Sequence, residues 1–295
     1  MIEKRIPMYT SLDQAIRDIF GSDRTVDKKR SVPGGDINRA SALTLDDGTV
    51  IFMKSNSPGF LDIFEAEVEG LEAIRKTGAI GVPVVLGLGR EAGFSFLLLE
   101  FISGGKKIPD YWEVFAEELA AMHRKGRGEV YGFDRDNWIG AGKQINSTRH
   151  SWIIFFRDCR LEPQLALADR FLSPEDRKRA DYLLAHLDSY LCEPEAPALI
   201  HGDLWAGNMI TGNDGKGWLI DPAVYYGHPE ADLAMTELFG GFSGRFYAAY
   251  RKASHLEPGY EDRRDIYNLY HLLNHLNLFG GGYLGSVLAV LRRYG

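Results

Sequence analysis

The sequence predicts an α+β fold in two unequal parts, a strand-rich first hundred residues built around one main helix and a helix-rich remainder. Three observations carry this. Short alternating apolar runs occur at 26–52 and 84–102, the run at 59–78 repeats at helical spacing, and after Gly104-Gly105 the pattern is almost wholly helical. The expected division is 1–102 and 103–295.

Each element has its own signal. Residues 11–20 place Leu12, Ala15, Ile16 and Ile19 on one helical face. From 26 to 52, a Pro33-Gly34-Gly35 break, an alternating SALTL and an Asp47-Gly48 turn before TVIFMK read as two or three antiparallel strands. The helix over 59–78 aligns Phe64, Val68, Leu71 and Ile74, and Gly78, Gly81 and Pro83 stop it. Strands follow at 84–88 and 95–102. Helices are then predicted over 110–124, 150–168, 173–191, 230–238, 244–253, 260–278 and 283–294, with Ser173 and Pro174 as a helix-start signal. Short strand candidates remain at 199–200, 209–210 and 218–220. The interval 126–148 is the longest irregular stretch, and its length suits either a binding loop or a packed insertion.

The 295 residues are 45% hydrophobic and 25% charged, which excludes a disordered or fibrous chain. Lys and Arg number 34 against 41 Asp and Glu, and the resulting formal charge of -7 argues against nucleic-acid binding while leaving local sites for small anions open. Cys159 and Cys192 lack metal-ligand spacing and fit a reducing compartment. The chain opens on no apolar leader and contains no run of roughly 18 apolar residues, so a cytoplasmic protein without a membrane span is expected.

The densest polar cluster lies between Leu199-Ile200 and Met209-Ile210, so His201, Gly202, Asp203 and Asn208 sit on a loop anchored at both ends in apolar chain. Asp221 follows at the end of a second apolar run, Trp218-Leu219-Ile220. Phosphoryl transfer from a nucleotide needs a group that orients the accepting hydroxyl and takes its proton, together with oxygen ligands for magnesium. An Asp, an Asn five residues on and a strand-terminal Asp supply such groups in that order. Neither GxGxxG nor GxxxxGK[ST] occurs, so dinucleotide-fold and Walker readings lose support.

HGDLWAGN at 201–208 with IDPA at 220–223 resembles the catalytic and metal-binding segments of the protein-kinase-like small-molecule kinases, which include the aminoglycoside phosphotransferases and choline kinases. PGGDIN at 33–38, FMK at 52–54, FEAEVEGL at 64–71, NWIG at 137–140, SWIIFFRDCRL at 151–161 and YYGHPEADLAMTELFGGF at 225–242 narrow the resemblance to the fructosamine kinase (ketosamine kinase) family. The resemblance implies a two-lobed protein-kinase-like fold, with an antiparallel-sheet N-lobe and a mostly helical C-lobe, that uses ATP and Mg2+. It implies Asp203 as catalytic base, Asn208 and Asp221 as magnesium ligands, and Lys54 at the nucleotide phosphates, paired with Glu67. Gly34 and Gly35 would form the turn over the phosphates, while backbone groups of Glu100 and Ile102 would meet the base. His201 and Asp232 are implied as structural supports of the loop, with a simple helix-capping role the alternative for Asp232.

The acceptor implied by the resemblance is a ketosamine, free or protein-linked, in which a 1-amino-1-deoxy-2-ketose joins a sugar to an amine. Phosphorylation would fall on the sugar 3-hydroxyl, followed by release of the amine. Asn137, Trp138, Gln144, Asn146, Trp152 and Arg160 are the matching residues around such a pocket, although Trp138 and Trp152 equally suit the core. Two alternatives stand beside this reading: a kinase for aminoglycosides, choline or another small hydroxyl compound, and a catalytically silent nucleotide-binding scaffold.

Overall fold

The computed structural model describes residues 6–33, 38–254 and 256–295. Strand β1 (Met8–Tyr9) and helix α1 (Leu12–Phe20) precede β2 (Val26–Ser31), β3 (Arg39–Leu45) and β4 (Val50–Asn56). Helix α2 (Leu61–Thr77) then leads to β5 (Val85–Glu91) and β6 (Phe94–Glu100). The six strands form one sheet in the order β1-β5-β6-β4-β3-β2, antiparallel except for the β1–β5 pair.

Both faces of this sheet are covered, and the two-residue period of a strand sorts its side chains between them. Ile51, Met53, Phe96 and Leu98 pack with Ile16 of α1 on one face. Phe52, Leu97 and Leu99 join Phe64, Leu71 and Ile74 of α2 on the other. Lys54 shares the parity of Phe52, so the strand delivers its ammonium to the α2 side. Helix α2 ends at Gly78, whose φ of 57° is the left-handed conformation of a glycine cap.

The remainder contains α3 (Tyr111–Lys125), β7 (Asn137–Ile139), β8 (Gly142–Gln144), α4 (Trp152–Phe156), α5 (Glu162–Ala168) and α6 (Pro174–Ala185). After these come β9 (Ala198–Ile200), β10 (Met209–Thr211), β11 (Gly217–Leu219), β12 (Tyr225–Gly227), α7 (Pro229–Leu238), α8 (Gly244–Ala253), α9 (Tyr260–Phe279) and α10 (Leu284–Tyr294). Trp152, Phe155, Phe156, Tyr267 and Leu273 centre the core of this part. The α2 cluster continues into Phe115, Leu119, Leu199 and Phe246, so sheet and helices share apolar packing. Among the described residues, no helix is long and apolar enough to cross a membrane.

The architecture is the two-lobed α+β arrangement expected, with local differences. The helix expected over 150–168 is interrupted by a π turn at Arg157–Leu161. Pro163 follows in the first turn of α5. A proline has no N–H to give the preceding turn and its ring crowds that turn, which accounts for the displaced hydrogen bonding. The stretch 126–148 carries the β7–β8 hairpin, and β1 and β12 lie where the sequence predicts no strand. Strands of two or three residues are too short for an alternating pattern to register. Strand β6 ends at Glu100, so Ile102 lies past it.

Candidate active site

Two short ladders bring the polar loop and Asp221 together. Tyr225 of β12 pairs with Ile200 of β9, and Leu219 of β11 with Met209 of β10. As a result the Ile220 amide donates to the Asn208 carbonyl at 3.0 Å, and the Ala223 amide to the His201 carbonyl at 2.9 Å. Gly202 has a φ of 81°. A Cβ there would lie 2.1 Å from the Ala223 carbonyl oxygen, so this close approach requires glycine. Asp221 also holds a positive φ, 55°, which aspartate tolerates better than most residues but at a cost.

The loop is tied down from behind by Asp232, in the first turn of α7. Its carboxylate accepts from the His201 amide at 2.7 Å and the Gly202 amide at 2.8 Å. It also lies 3.2 Å from His123 Nε2, and His123 Nδ1 is 2.7 Å from the Tyr250 hydroxyl. Burial opposes ionisation of Asp232, but the bonds from His123 and the loop hold its pKa below the usual carboxylate value. His201 Nε2 lies 2.9 Å from the Ile220 carbonyl, which can only accept, so that nitrogen carries the proton. Nδ1 is left to accept from the Asp203 amide at 3.3 Å, and burial lowers the pKa of the ring.

The charged centre spans sheet, helix and loop. Lys54 Nζ donates to Glu67 Oε1 at 2.7 Å and also bonds the Asp221 carboxylate. Glu67 lies one turn from both Phe64 and Leu71, so it shares their buried face of α2. Burial works against the Lys54 charge, yet the two carboxylates raise its pKa above the ordinary lysine value. Burial pushes the Glu67 carboxyl above the usual carboxylate range, with Lys54 opposing and Asp221 adding to the shift. Nearby, Asn208 Nδ2 donates to Asp203 Oδ2 at 2.9 Å and to the Asp203 carbonyl at 2.8 Å. Asp203 keeps part of its surface in solvent, but the surrounding protein pushes its pKa up to about 7, Asn208 opposing the shift and Asp221 and Asp232 reinforcing it.

Gly34 and Gly35 lie outside the described residues. The Glu100 amide donates to the Val84 carbonyl at 2.8 Å and its carboxylate accepts from the Val84 amide at 3.1 Å, while Ile102 is half-buried beyond β6. Asn137, Gln144, Asn146, Trp152 and Arg160 are all buried. Gln144 Nε2 donates to Asn137 Oδ1 at 2.7 Å and to the Ala223 carbonyl at 2.9 Å, and Asn137 Nδ2 donates to the Val224 carbonyl at 2.7 Å. Asn146 joins them through Asn137 Oδ1 at 2.9 Å and accepts from Arg160 at 2.8 Å. The Arg160 guanidinium lies 3.8 Å from the Tyr225 ring centre. Trp152 sits among Tyr131, Phe155, Phe156 and Tyr267, while Trp138 is half-buried. These amides thus meet one another and the main chain that follows Asp221.

Two features were not singled out from sequence. Trp205, two residues from Asp203, is 38% exposed, and only its place inside the HGDLWAGN loop could have flagged it. Cys192, His228 and Glu230 bring potential metal donors within 4.8 Å of one another. Both Glu230 oxygens are engaged by Arg263 at 2.7 Å, and His228 Nδ1 accepts from the Glu230 amide, which places the ring proton on Nε2. That donor set is occupied by protein.

A lysine between two carboxylates, a loop aspartate fixed by an asparagine, and a sheet-bearing lobe packed on helices define a protein-kinase-like architecture. The chain matches the fructosamine kinase family over residues 8–294. A probable ketoamine kinase of Synechocystis is 41% identical over 290 residues, covering 97% of this chain and 96% of that one. A chloroplastic protein-ribulosamine 3-kinase of Arabidopsis thaliana is 38% identical, covering 99% and 90%. The crystal structure of a Thermobifida fusca protein inferred to be a fructosamine-3-kinase has a TM-score of 0.85 at 32% identity, covering 96% and 98%. The chain belongs to the fructosamine kinase family, within the protein-kinase-like superfamily of small-molecule kinases.

Proposed function

We propose that this protein transfers phosphate from magnesium-bound ATP to a sugar hydroxyl of a ketosamine. The observation that carries the reading is the convergence of Lys54, Glu67 and Asp221 with Asp203 and Asn208 in a chain of this family. The donor set suits the cofactor. Both side-chain hydrogen bonds of Asn208 are donated by Nδ2, leaving its amide oxygen to join the Asp221 carboxylate as hard oxygen ligands of the kind magnesium takes. When bound, magnesium-ATP supplies the phosphoryl group and the charge neutralisation that its oxygens require.

The remaining work belongs to the chain. Lys54, held charged by two carboxylates, binds phosphate oxygens, and Glu67 keeps its ammonium in place. Asp203 orients the acceptor hydroxyl and accepts its proton at a carboxylate oxygen, with the Asn208 amide fixing the rotamer. Asp232 preserves the loop conformation by holding the amides of His201 and Gly202. Trp205 offers an aromatic face for the C–H surface of a sugar. The buried amides of Asn137 and Gln144 act through the main chain of 223–224, Asn146 acts through Asn137, and Arg160 acts through Asn146 and Tyr225. The expected product is the sugar 3-phosphate, the position that the Arabidopsis relative's name carries.

The test is turnover of magnesium-ATP with fructoselysine, ribuloselysine, erythruloselysine, choline and an aminoglycoside. The reading predicts a kcat/KM for at least one ketosamine well above those for choline and the aminoglycoside, because a pocket built for several hydroxyls leaves polar groups unpaired with the wrong acceptor. Preference for choline or the aminoglycoside would replace the substrate assignment. Turnover of none of them by folded, nucleotide-binding protein would support the silent scaffold.

A further inference from the structure

Helix α2 is gripped on two opposite faces. Glu67 looks toward the sheet and meets Lys54. Glu65 and Glu69 stand one turn apart and about half a turn round the helix from Glu67, since two residues rotate through roughly 200°. One cation from the helix-rich part meets both: Arg135 Nε donates to Glu69 Oε2 at 2.7 Å, and Arg135 Nη1 lies 3.5 Å from Glu65 Oε2. Between the two grips, Gly70 lies against the chain that follows Asp221. A Cβ there would come within 3.0 Å of the Pro222 ring and 3.5 Å of the Val224 methyls.

Arg135 stands two residues before β7, and its main chain is itself fixed. Its carbonyl accepts from Asn146 Nδ2 at 3.1 Å, and the neighbouring Asp136 carboxylate accepts from the Asn146 main-chain amide at 2.9 Å. Asn146 reaches Asn137, and Asn137 bonds the Val224 carbonyl. The contacts close a circuit. It runs from Asp221 through Lys54 and Glu67 into α2, across Arg135 to the buried amides, and back to the main chain three residues past Asp221.

We propose that Arg135 is a positioning residue for the phosphate-binding centre: it clamps α2 from the face opposite Lys54 and keeps Glu67, and Lys54 with it, in register with Asp221 before nucleotide arrives. The proposal rests on the reading of this centre as a magnesium-ATP site. An isolated surface ion pair contributes little, and the side chains of Arg135, Glu65 and Glu69 are 39%, 30% and 45% exposed. Two features set this one apart. Asn146 holds the backbone that carries the arginine, and the guanidinium lies between glutamates four residues apart that repel one another without it.

The experiment measures, by titration calorimetry, the Kd of magnesium-ATP and of adenosine for wild type, Arg135→Ala, Arg135→Glu and the double variant Arg135→Glu/Glu69→Arg. Adenosine probes the base site without phosphates or metal. The Kd of magnesium-ATP should rise about threefold in Arg135→Ala and about tenfold in Arg135→Glu, where a third carboxylate faces the pair, while that of adenosine stays within about twofold throughout. The double variant restores an opposite charge and should return magnesium-ATP to within about threefold of wild type. Thermal midpoints verify that each variant is folded. An unchanged magnesium-ATP Kd in Arg135→Glu, an equal loss of both ligands, or a double variant as weak as Arg135→Glu overturns the clamp and leaves the nucleotide site standing. A folded wild type that binds neither ligand overturns both.

Discussion

Residues 221–224 are gripped by two groups of buried polar side chains that differ in kind. On one side, Lys54 holds Glu67 and Asp221 through ionic contacts, one ammonium serving two carboxylates. On the other, the neutral amides of Asn137 and Gln144 donate to the carbonyls of Val224 and Ala223, and Gln144 Oε1 accepts from Tyr270 at 2.7 Å. The ionic group leaves a surplus of negative charge, the kind of imbalance that a divalent cation offsets. The amide group has spent its polar atoms on geometry. Charge left unbalanced belongs to chemistry, and hydrogen bonds fully made belong to shape.

The largest break in this comparison should come from the charged side. Asp203→Asn keeps the volume and a hydrogen-bonding side chain, so the fold and nucleotide affinity should persist while kcat falls by roughly 10²–10⁴-fold. Single-turnover rates at saturating substrate check this, and an unchanged rate removes Asp203 as base. Asp232→Asn comes next. It withdraws charge from a buried carboxylate serving two main-chain amides and a histidine, so it should cost about 3–5 kcal/mol in denaturant unfolding and lower kcat as the loop relaxes. A loss below 1 kcal/mol, on the scale of an exposed pair, would return Asp232 to a simple capping role.

Acid should loosen the helical part through buried histidines. Burial foremost lowers His228 to about 3, with Arg263 and His123 adding to the shift. His271 is also lowered to about 3, by burial and then by His275 and Arg160, with Asp232 opposing. Below the unfolded value of about 6.5, the unfolded chain takes up protons that these rings refuse, so stability falls with pH by about 1.4 kcal/mol per unit for each ring until the folded values are reached. Asp203 and Glu67, whose carboxyls are raised in the folded chain, work in the opposite direction over this window. The test is therefore the difference in unfolding free energy between wild type and His271→Gln at pH 7, 6 and 5, and a difference that does not change with pH contradicts it. The smallest effect is expected from Gln144→Leu, which strands the Ala223 carbonyl and Tyr270 hydroxyl and should cost about 1–3 kcal/mol. Its kcat well below the unfolding temperature should stay within about tenfold of wild type, and a loss as deep as that of Asp203→Asn would erase the distinction between the two groups.

The ionic side was legible in the sequence because regular elements carry it. Lys54 follows the parity of a seven-residue strand and Glu67 the spacing of a 17-residue helix, so each side chain's face could be read from its neighbours. Asp203, Asn208 and Asp221 were legible as types at a spacing, and Asp232 through resemblance. The amide side was not. The sequence marked Asn137, Gln144 and Asn146 as pocket residues, but three-residue strands hold no period, and Asn137 finds its acceptor at Val224, 87 positions on. Arg135 and Glu69 likewise meet only after the stretch 126–148 has packed against α2, so no local pattern announces their contact.

The most direct measurement is phosphorus NMR of the products formed from magnesium-ATP and a ketosamine by wild type and by Asp203→Asn. The account predicts one sugar phosphate ester per ADP with wild type, placed on the 3-hydroxyl, and a severe slowing of its formation by a variant that still binds nucleotide. ADP formed without a sugar phosphate, or an ester formed equally fast by Asp203→Asn, would contradict it.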